Sequence, residues 1–582
     1  MRRFLIAAAL AIMPLPAAAT PTDDFHAVIT DHWAWFLKSS PVYATALGVH
    51  TYDDQLGDYS LAEADRQAAQ AAVFVKRLDA IPTAQLSPAD RTNQAILRRI
   101  LAEQIEANGF GERTMTFSTL GSWFQNFAGL ADFVPVRTRA DFVSYLGRLA
   151  QFPTVNAQAL DVTRQAVAGG FVQPCVTLSG FEQTITGVIA AKPEDSRFYA
   201  PFKGSKPIDV TEAEWAQMQA RAKTLITGTL NPEYRKIDDY YRASYLPKCR
   251  KTYGAAALPD GARYYAFMVR QQATTQLTPG QIHQIGLDEV KRIRSDMTAL
   301  ATKAGYPSRE AFIQALRTDP KYYPKTAAEL LGAAALQAKI NDGKMPTLFA
   351  TLPRLPYGVR AIPAETAEGN TTAYYMQGSP AAGIAGTYYV NTSKLDQRPL
   401  YELAALTAHE AVPGHHNQIA LQQELTLPDF RKYVASFTAF VEGWGLYSEH
   451  LGIEMGIYDT PEKDMGRLSY EMWRACRLVV DTGLHAKGWT KDQAVAFMKD
   501  NTALTDANID AEVNRYISSP GQALAYKLGE LKILSLRHKA EAALGPKFDV
   551  RRFHDAVLGQ GAVPLDVLEA QIDAWIADQQ RR

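Results

Sequence analysis

Eight consecutive residues, His409-Glu410-Ala411-Val412-Pro413-Gly414-His415-His416, have the types needed to hold a divalent metal and to move a proton beside it. A neutral imidazole is a good zinc ligand, and an adjacent carboxylate can take a proton from water that zinc acidifies. The usual form, H-E-x-x-H, sets two histidines four residues apart on one helix face. Here Pro-Gly stands where the second histidine would be. Six positions separate His409 from His415, about 240° of rotation on a regular helix, so an unbroken helix would not aim both at one ion. Pro413 disfavours a helix interior and Gly414 frees the backbone. The sequence therefore predicts a two-residue bulge that restores register and presents His415 as second ligand. His416 returns near the first face, but about 10 Å along the axis. It is the alternative ligand, or a group that supports the site or touches substrate.

The next helical stretch contains Phe440-Val441-Glu442-Gly443-Trp444-Gly445. Glu442 is the carboxylate that a two-histidine set lacks for a three-ligand catalytic site. Glu449, seven residues on, shares its face and can orient a ligand histidine through the ring N–H. This set predicts one Zn2+ per chain, although two histidines and a carboxylate also suit manganese or cobalt. Hydrolysis further needs donors for a developing oxyanion, and a Tyr hydroxyl or an Arg serves that purpose. Asn514-Arg515-Tyr516 and Ala523-Leu524-Ala525-Tyr526 lie downstream, and His485 is a further candidate.

The strings HEAVPGHHNQ, VEGWGLYSEHLG and RYISSPGQALAYKLG closely resemble the bacterial family called domain of unknown function 885. That family is similar to the gluzincin metallopeptidases, a mostly helical group that includes angiotensin-converting enzyme, thimet oligopeptidase and the thermostable carboxypeptidases. The resemblance runs from about Asp24 to the C-terminus and is densest after Ala361. It implies a mainly α, cleft-bearing fold with His409, His415 and Glu442 as ligands and Glu410 as general base. It also singles out Tyr516 and Tyr526, with Arg515 next, as the groups that stabilise charge.

The elements that must position these residues are largely helical. Ser87-Pro88-Ala89-Asp90 is a helix start with Pro in the first turn, opening a helix to Ala107. Residues 141–168 read as helix. Thr211, Thr278, Thr326 and Thr490, each three residues before a Glu or Gln, have the capping-box form. The aromatic, Gly-rich stretch 110–136 lacks helical period and is expected to be a loop lining the cleft. Thr371 to Tyr375 and Gly386 to Asn391 have β composition and predict a small hairpin beside the zinc helix. Such a strand either binds an extended peptide by its edge or simply supports the helix. Pro399 opens the first zinc helix. Leu427-Pro428-Asp429 opens the second, expected to run through Glu442 to about Leu451. No repeat or linker interrupts residues 20–582. They read as one large helical unit, with room for two lobes either side of a cleft and the motifs within 399–529.

The 582 residues carry 61 basic and 61 acidic side chains, and nothing marks a nucleic-acid or anionic-membrane partner. Residues 1–19 read as a secretory signal: basic Arg2-Arg3, a short apolar run, then Ala17-Ala18-Ala19. That run is too short to span a bilayer, and no cysteine follows the cleavage region, so no stable membrane anchor is expected. With the Gram-negative character that the resemblance implies, the mature protein would be periplasmic. In an oxidising compartment Cys175 and Cys249, each near a Pro in a loop setting, are candidates for a disulfide. Cys476 reads as a buried thiol.

The sequence thus predicts a secreted zinc hydrolase, foremost a metallopeptidase acting on short peptides. The alternatives are a metal-dependent amidase acting on a non-peptide metabolite and a non-catalytic periplasmic binding protein of the same fold.

Overall fold

The computed structural model describes residues 20–118, 121–363, 367, 371–380 and 384–581, so the signal-peptide expectation lies outside the described residues. Helix starts follow local chemistry. Thr211, Thr278 and Thr490 each accept the backbone N–H three residues on, while Glu214, Gln281 and Gln493 accept the threonine's own N–H in return. Such caps satisfy orphaned donors and contribute about 1 kcal/mol each. Thr326 makes half of the motif. It accepts from Glu329 N at 3.1 Å, but the Glu329 carboxylate takes the Lys325 N–H instead. Ser87 caps the helix Pro88–Ala107 as expected.

The helices that matter below are α1 (Arg139–Gly169), α2 (Pro279–Lys303), α3 (Ala327–Leu348), α4 (Leu403–Glu410), α5 (His415–Glu424), α6 (Thr438–Met455), α7 (Pro461–Ala486), α8 (Asp506–Ser518) and α9 (Ala525–Leu544). The strands are β1 (Tyr357–Ala361), β2 (Ala373–Met376) and β3 (Gly386–Val390). The molecule is mainly α with one small sheet.

The expected hairpin is two strands of a three-stranded sheet in the order β1-β3-β2. β3 is central, antiparallel to β2 with Ala373 opposite Val390, and parallel to β1 with Tyr357 opposite Gly386. β1 went unread because Tyr357-Gly358-Val359-Arg360-Ala361 is short and follows a Pro-rich run. β2 is an edge strand and packs on α4.

The stretch 110–136 is not a loop. It forms short helices, Trp123–Ala128 and Leu130–Phe133, and Phe117, Trp123, Phe124 and Phe127 are buried. These aromatics join Phe152 of α1, Tyr234, Tyr241 and Tyr245 in one core, so bulk aromatic burial rather than helical period organises this segment. The helix expected to run from Leu427 through Glu442 also differs from expectation. A five-residue helix, Asp429–Tyr433, ends before a turn that buries Ala435 and Phe437, and α6 starts only at Thr438. Cys175 and Cys249 are joined in a disulfide, and Cys476 is buried in α7.

α4 lies between two hydrophobic cores. Ala404 and Ala408 belong to one, with Phe440, Trp444 and Tyr447 of α6. Leu403, Ala405 and Leu406 belong to the other, with Tyr388, Met472 and Cys476. All eight residues of α4 are buried. Such a helix is a rigid base for the two chemical residues at its end.

Candidate metal centre

The chain does not make a bulge between the two histidines. α4 ends at Glu410, four residues turn, and a new helix, α5, begins at His415. The Val412-Pro413 peptide is cis within that turn. A Cβ on Gly414 would lie 1.9 Å from the His409 carbonyl oxygen, so the turn closes only around a glycine. The turn achieves by a change of helix what the bulge was expected to do by register, and His415 faces His409 with ring centroids 4.6 Å apart.

His409 Nε2 and His415 Nε2 lie 3.4 and 3.5 Å from the same Glu442 oxygen. Among the described residues these three form the one cluster of His, Cys, Asp or Glu whose ligand atoms converge within 4.8 Å. A tetrahedral ion with bonds of about 2.0–2.2 Å sets its ligand atoms about 3.3–3.6 Å apart, so the donor types and the two imidazole-to-carboxylate distances suit zinc. Glu442, at 20% side-chain exposure against 4% and 11% for His409 and His415, marks the open side. Gly445, one turn from Glu442, is the seat of His409. A Cβ there would lie 2.7 Å from the imidazole.

Glu449 makes the contact expected of it. Its Oε1 accepts from His409 Nδ1 at 2.8 Å. A carboxylate only accepts, so Nδ1 carries a hydrogen and Nε2, directed at Glu442, is left to share a proton or to ligate a metal. Burial disfavours the charged imidazolium, but Glu442 and Glu449 outweigh it and hold His409 up at about 9. Burial likewise opposes charge on Glu442, and the two histidines overcome it, keeping that carboxyl well below the usual range. A divalent cation would replace the proton that these groups share.

Glu410 closes α4, is 8% exposed, and acts electrostatically on His409 and on Tyr388 of β3. His416 is not part of the cluster. It faces the sheet, with Nδ1 3.0 Å from the Tyr375 hydroxyl and its ring 4.5 Å from that of Tyr357. Burial pushes it down to about 4, so it is neutral there.

The downstream candidates separate. Tyr526 of α9 is half-buried with its ring 6.5 Å from His409. Burial first, and then the charge of Glu442, raises its hydroxyl above the usual range, so it keeps its proton. Tyr516 is fully buried, and its hydroxyl meets Trp473 Nε1 at 2.8 Å, Arg477 Nε at 3.0 Å and Glu512 at 2.7 Å. Arg515 pairs with Glu512 and donates to Gln522 at 2.5 Å. The hydrogen bonds of these two go to Trp473 and Arg477 of α7, Glu512 of α8 and Gln522 rather than to the cluster. His485 is not brought to the centre as a reactive group. Its Nδ1 accepts from Ala255 N at 2.9 Å and its Nε2 meets the Tyr516 carbonyl at 2.9 Å, so both ring nitrogens are spent on the fold.

Two residues were missed. Arg474 holds Glu449 Oε1 at 3.0 Å, and Arg477 lies 4.3 Å from the Tyr526 ring. A signal existed. Glu471, Arg474, Arg477 and Asp481 recur at helical spacing inside an otherwise apolar run of α7, and buried charges on one face ask for partners.

The family model described as bacterial protein of unknown function (DUF885) matches residues 41–572. No curated protein matches the chain. Two solved structures share the fold. One, from Colwellia psychrerythraea and described as a "putative lipoprotein", is 30% identical, with a TM-score of 0.90 over 96% of this chain and 100% of its own. The other, from Shewanella oneidensis and described as a "putative lipoprotein of unknown function", is 19% identical, with a TM-score of 0.71 over 95% of this chain and 99% of its own.

Proposed function

This chain belongs to the bacterial family of unknown function DUF885, and we propose that it is a zinc-dependent hydrolase, a gluzincin-like metallopeptidase acting on short peptides. One observation carries the reading: two imidazole nitrogens converge on one Glu442 oxygen, with Glu410 adjoining the first ligand in sequence. Bound to His409, His415 and Glu442, zinc supplies Lewis acidity toward a carbonyl and lowers the pKa of water. Glu410 accepts the proton of the attacking water and returns it to the leaving amine. Glu449, held by Arg474, keeps His409 in the tautomer that ligation needs. Tyr526 donates its hydroxyl proton as a hydrogen bond to the developing oxyanion.

We place the protein outside the inner membrane. The word lipoprotein in both relatives' descriptions supports an envelope address.

The test is a panel of short peptides with products read by mass spectrometry, wild type against Glu410→Gln. Wild type is expected to cleave, and the variant to keep its metal and lose roughly 10²–10⁴-fold in rate. No cleavage by zinc-loaded wild type would contradict the peptidase reading. Turnover of non-peptide amides alone would move the assignment to an amidase.

A further inference from the structure

Helix α7 carries Arg477 into the interior beside Tyr526, with 4% of the side chain exposed. Three rings enclose its guanidinium: Tyr526 at 4.3 Å, Trp473 at 4.5 Å and Tyr516 at 5.7 Å. Nε donates to the Tyr516 hydroxyl at 3.0 Å and Nη2 to Glu512 at 3.1 Å. Nη1 projects from the other edge of the planar group. It is buried and has no acceptor among the described residues. Buried donors of charged groups are rarely left unmade, so this N–H asks for an acceptor from outside the chain.

The charge count asks the same. Glu512 accepts from Arg477, from Arg515 Nη2 at 2.9 Å and from the Tyr516 hydroxyl at 2.7 Å. One carboxylate thus serves two guanidiniums, and the group keeps one positive charge in excess. Tyr526 links it to the metal centre, since its ring contacts Arg477 and lies 6.5 Å from His409.

We propose that Arg477 is a specificity residue that binds the C-terminal carboxylate of the peptide, which makes the enzyme an exopeptidase acting at that end. This rests on the hydrolase reading above. A monoanion matches the single excess charge, whereas a phosphate dianion would overcompensate it. A weakly hydrated guanidinium among aromatic rings suits a carboxylate. In a short peptide with a free C-terminus, that carboxylate is always present. An extended chain advances about 3.3 Å per residue, so the carboxylate would lie no more than about three residues beyond the scissile bond.

The test uses zinc-loaded full-length mature protein carrying Glu410→Gln, so that binding is read without turnover. Two pools of N-acetylated tetrapeptides with randomised side chains, one ending in the free acid and one in the amide, compete for retention in ultrafiltration read by mass spectrometry. The acid pool should be retained roughly 10- to 100-fold over the amide pool, as suits a charge-assisted contact. Adding Arg477→Gln should bring the ratio to about one. Adding Glu512→Gln, which removes the competing acceptor, should raise it, a direction that a merely structural arginine would not produce. Equal retention in the parent, retention of neither pool, a ratio unmoved by Arg477→Gln, or no rise with Glu512→Gln overturns the proposal. Acid-selective retention in a protein whose wild type cleaves nothing would fail the hydrolase reading and leave the carboxylate site standing. Peptide cleavage indifferent to the terminus would do the reverse.

Discussion

Tyr526 and Lys527 are neighbours on α9, and each borders a buried cluster of charge, yet the clusters are built on opposite plans. Lys527 is fully buried, and its ammonium meets Glu289 at 3.1 Å, Glu471 at 3.0 Å and Glu530 at 2.6 Å. Arg292 and Arg467 complete the charge of Glu471. Each of the three cations meets at least two carboxylates, Asp296 and Asp464 among them, and α2, α7 and α9 are tied together with no cation short of an acceptor. On the Tyr526 side, His409, His415 and Glu442 turn lone-pair atoms toward one another at 3.4–3.5 Å, and His415 Nδ1 has no partner among the described residues. Ligand atoms that converge with only a shared proton between them invite a cation, whereas a saturated network is architecture. Burial and charge alone do not tell a site from a strut; the match of donors to acceptors does.

The comparison breaks first at the ligands. His415→Ala or Glu442→Ala should abolish stoichiometric zinc binding and cost the metal-free fold little, as read by metal analysis beside denaturant unfolding. Lys527→Met should do the opposite. Buried Glu530 loses its cation, and Glu289 and Glu471 each lose one of theirs, for a destabilisation of about 3–5 kcal/mol, while any folded protein still takes up zinc. Tyr526→Phe should lower kcat roughly 10²–10³-fold with KM nearly unchanged, since the hydroxyl acts on charge that develops only in the transition state. Glu449→Gln should weaken zinc affinity about 10–100-fold in a chelator competition.

The smallest effect is in pH. His409 sits at about 9 in the metal-free protein against an ordinary value near 6.5. Its proton therefore stabilises the metal-free fold fully below about pH 6.5, and that contribution fades as pH rises through about 9. Zinc removes the same proton, so zinc affinity should climb with pH and level off near 9. A flat affinity between pH 6.5 and 9 would contradict the linkage.

The convergence of His409, His415 and Glu442 and the contact of Glu449 with His409 were legible because metal chemistry restricts residue type, and because helical spacing then limits which side chains can meet. The way they meet was not. Whether Pro413-Gly414 bulges a helix or ends it depends on packing around Gly414, which no local period encodes. The β2–β3 pair was visible in its tyrosines, but β1 was hidden by its length. The 110–136 segment misled because its aromatics serve a distant core formed with residues near 152 and 234–245. His485 had a reactive side chain in a plausible place, and only the backbone partners at Ala255 and Tyr516 show it to be structural. Arg474 acts through Glu449, so no ligand motif flags it, and the charged face of α7 was the one signal for it and for Arg477.

The most direct measurement is metal content by mass spectrometry on the mature protein, with His415→Ala, Glu442→Ala and His416→Ala alongside. About one zinc per chain, lost in the first two variants and kept in the third, is the predicted result. No zinc in wild type after loading, or zinc that survives Glu442→Ala but not His416→Ala, would contradict it.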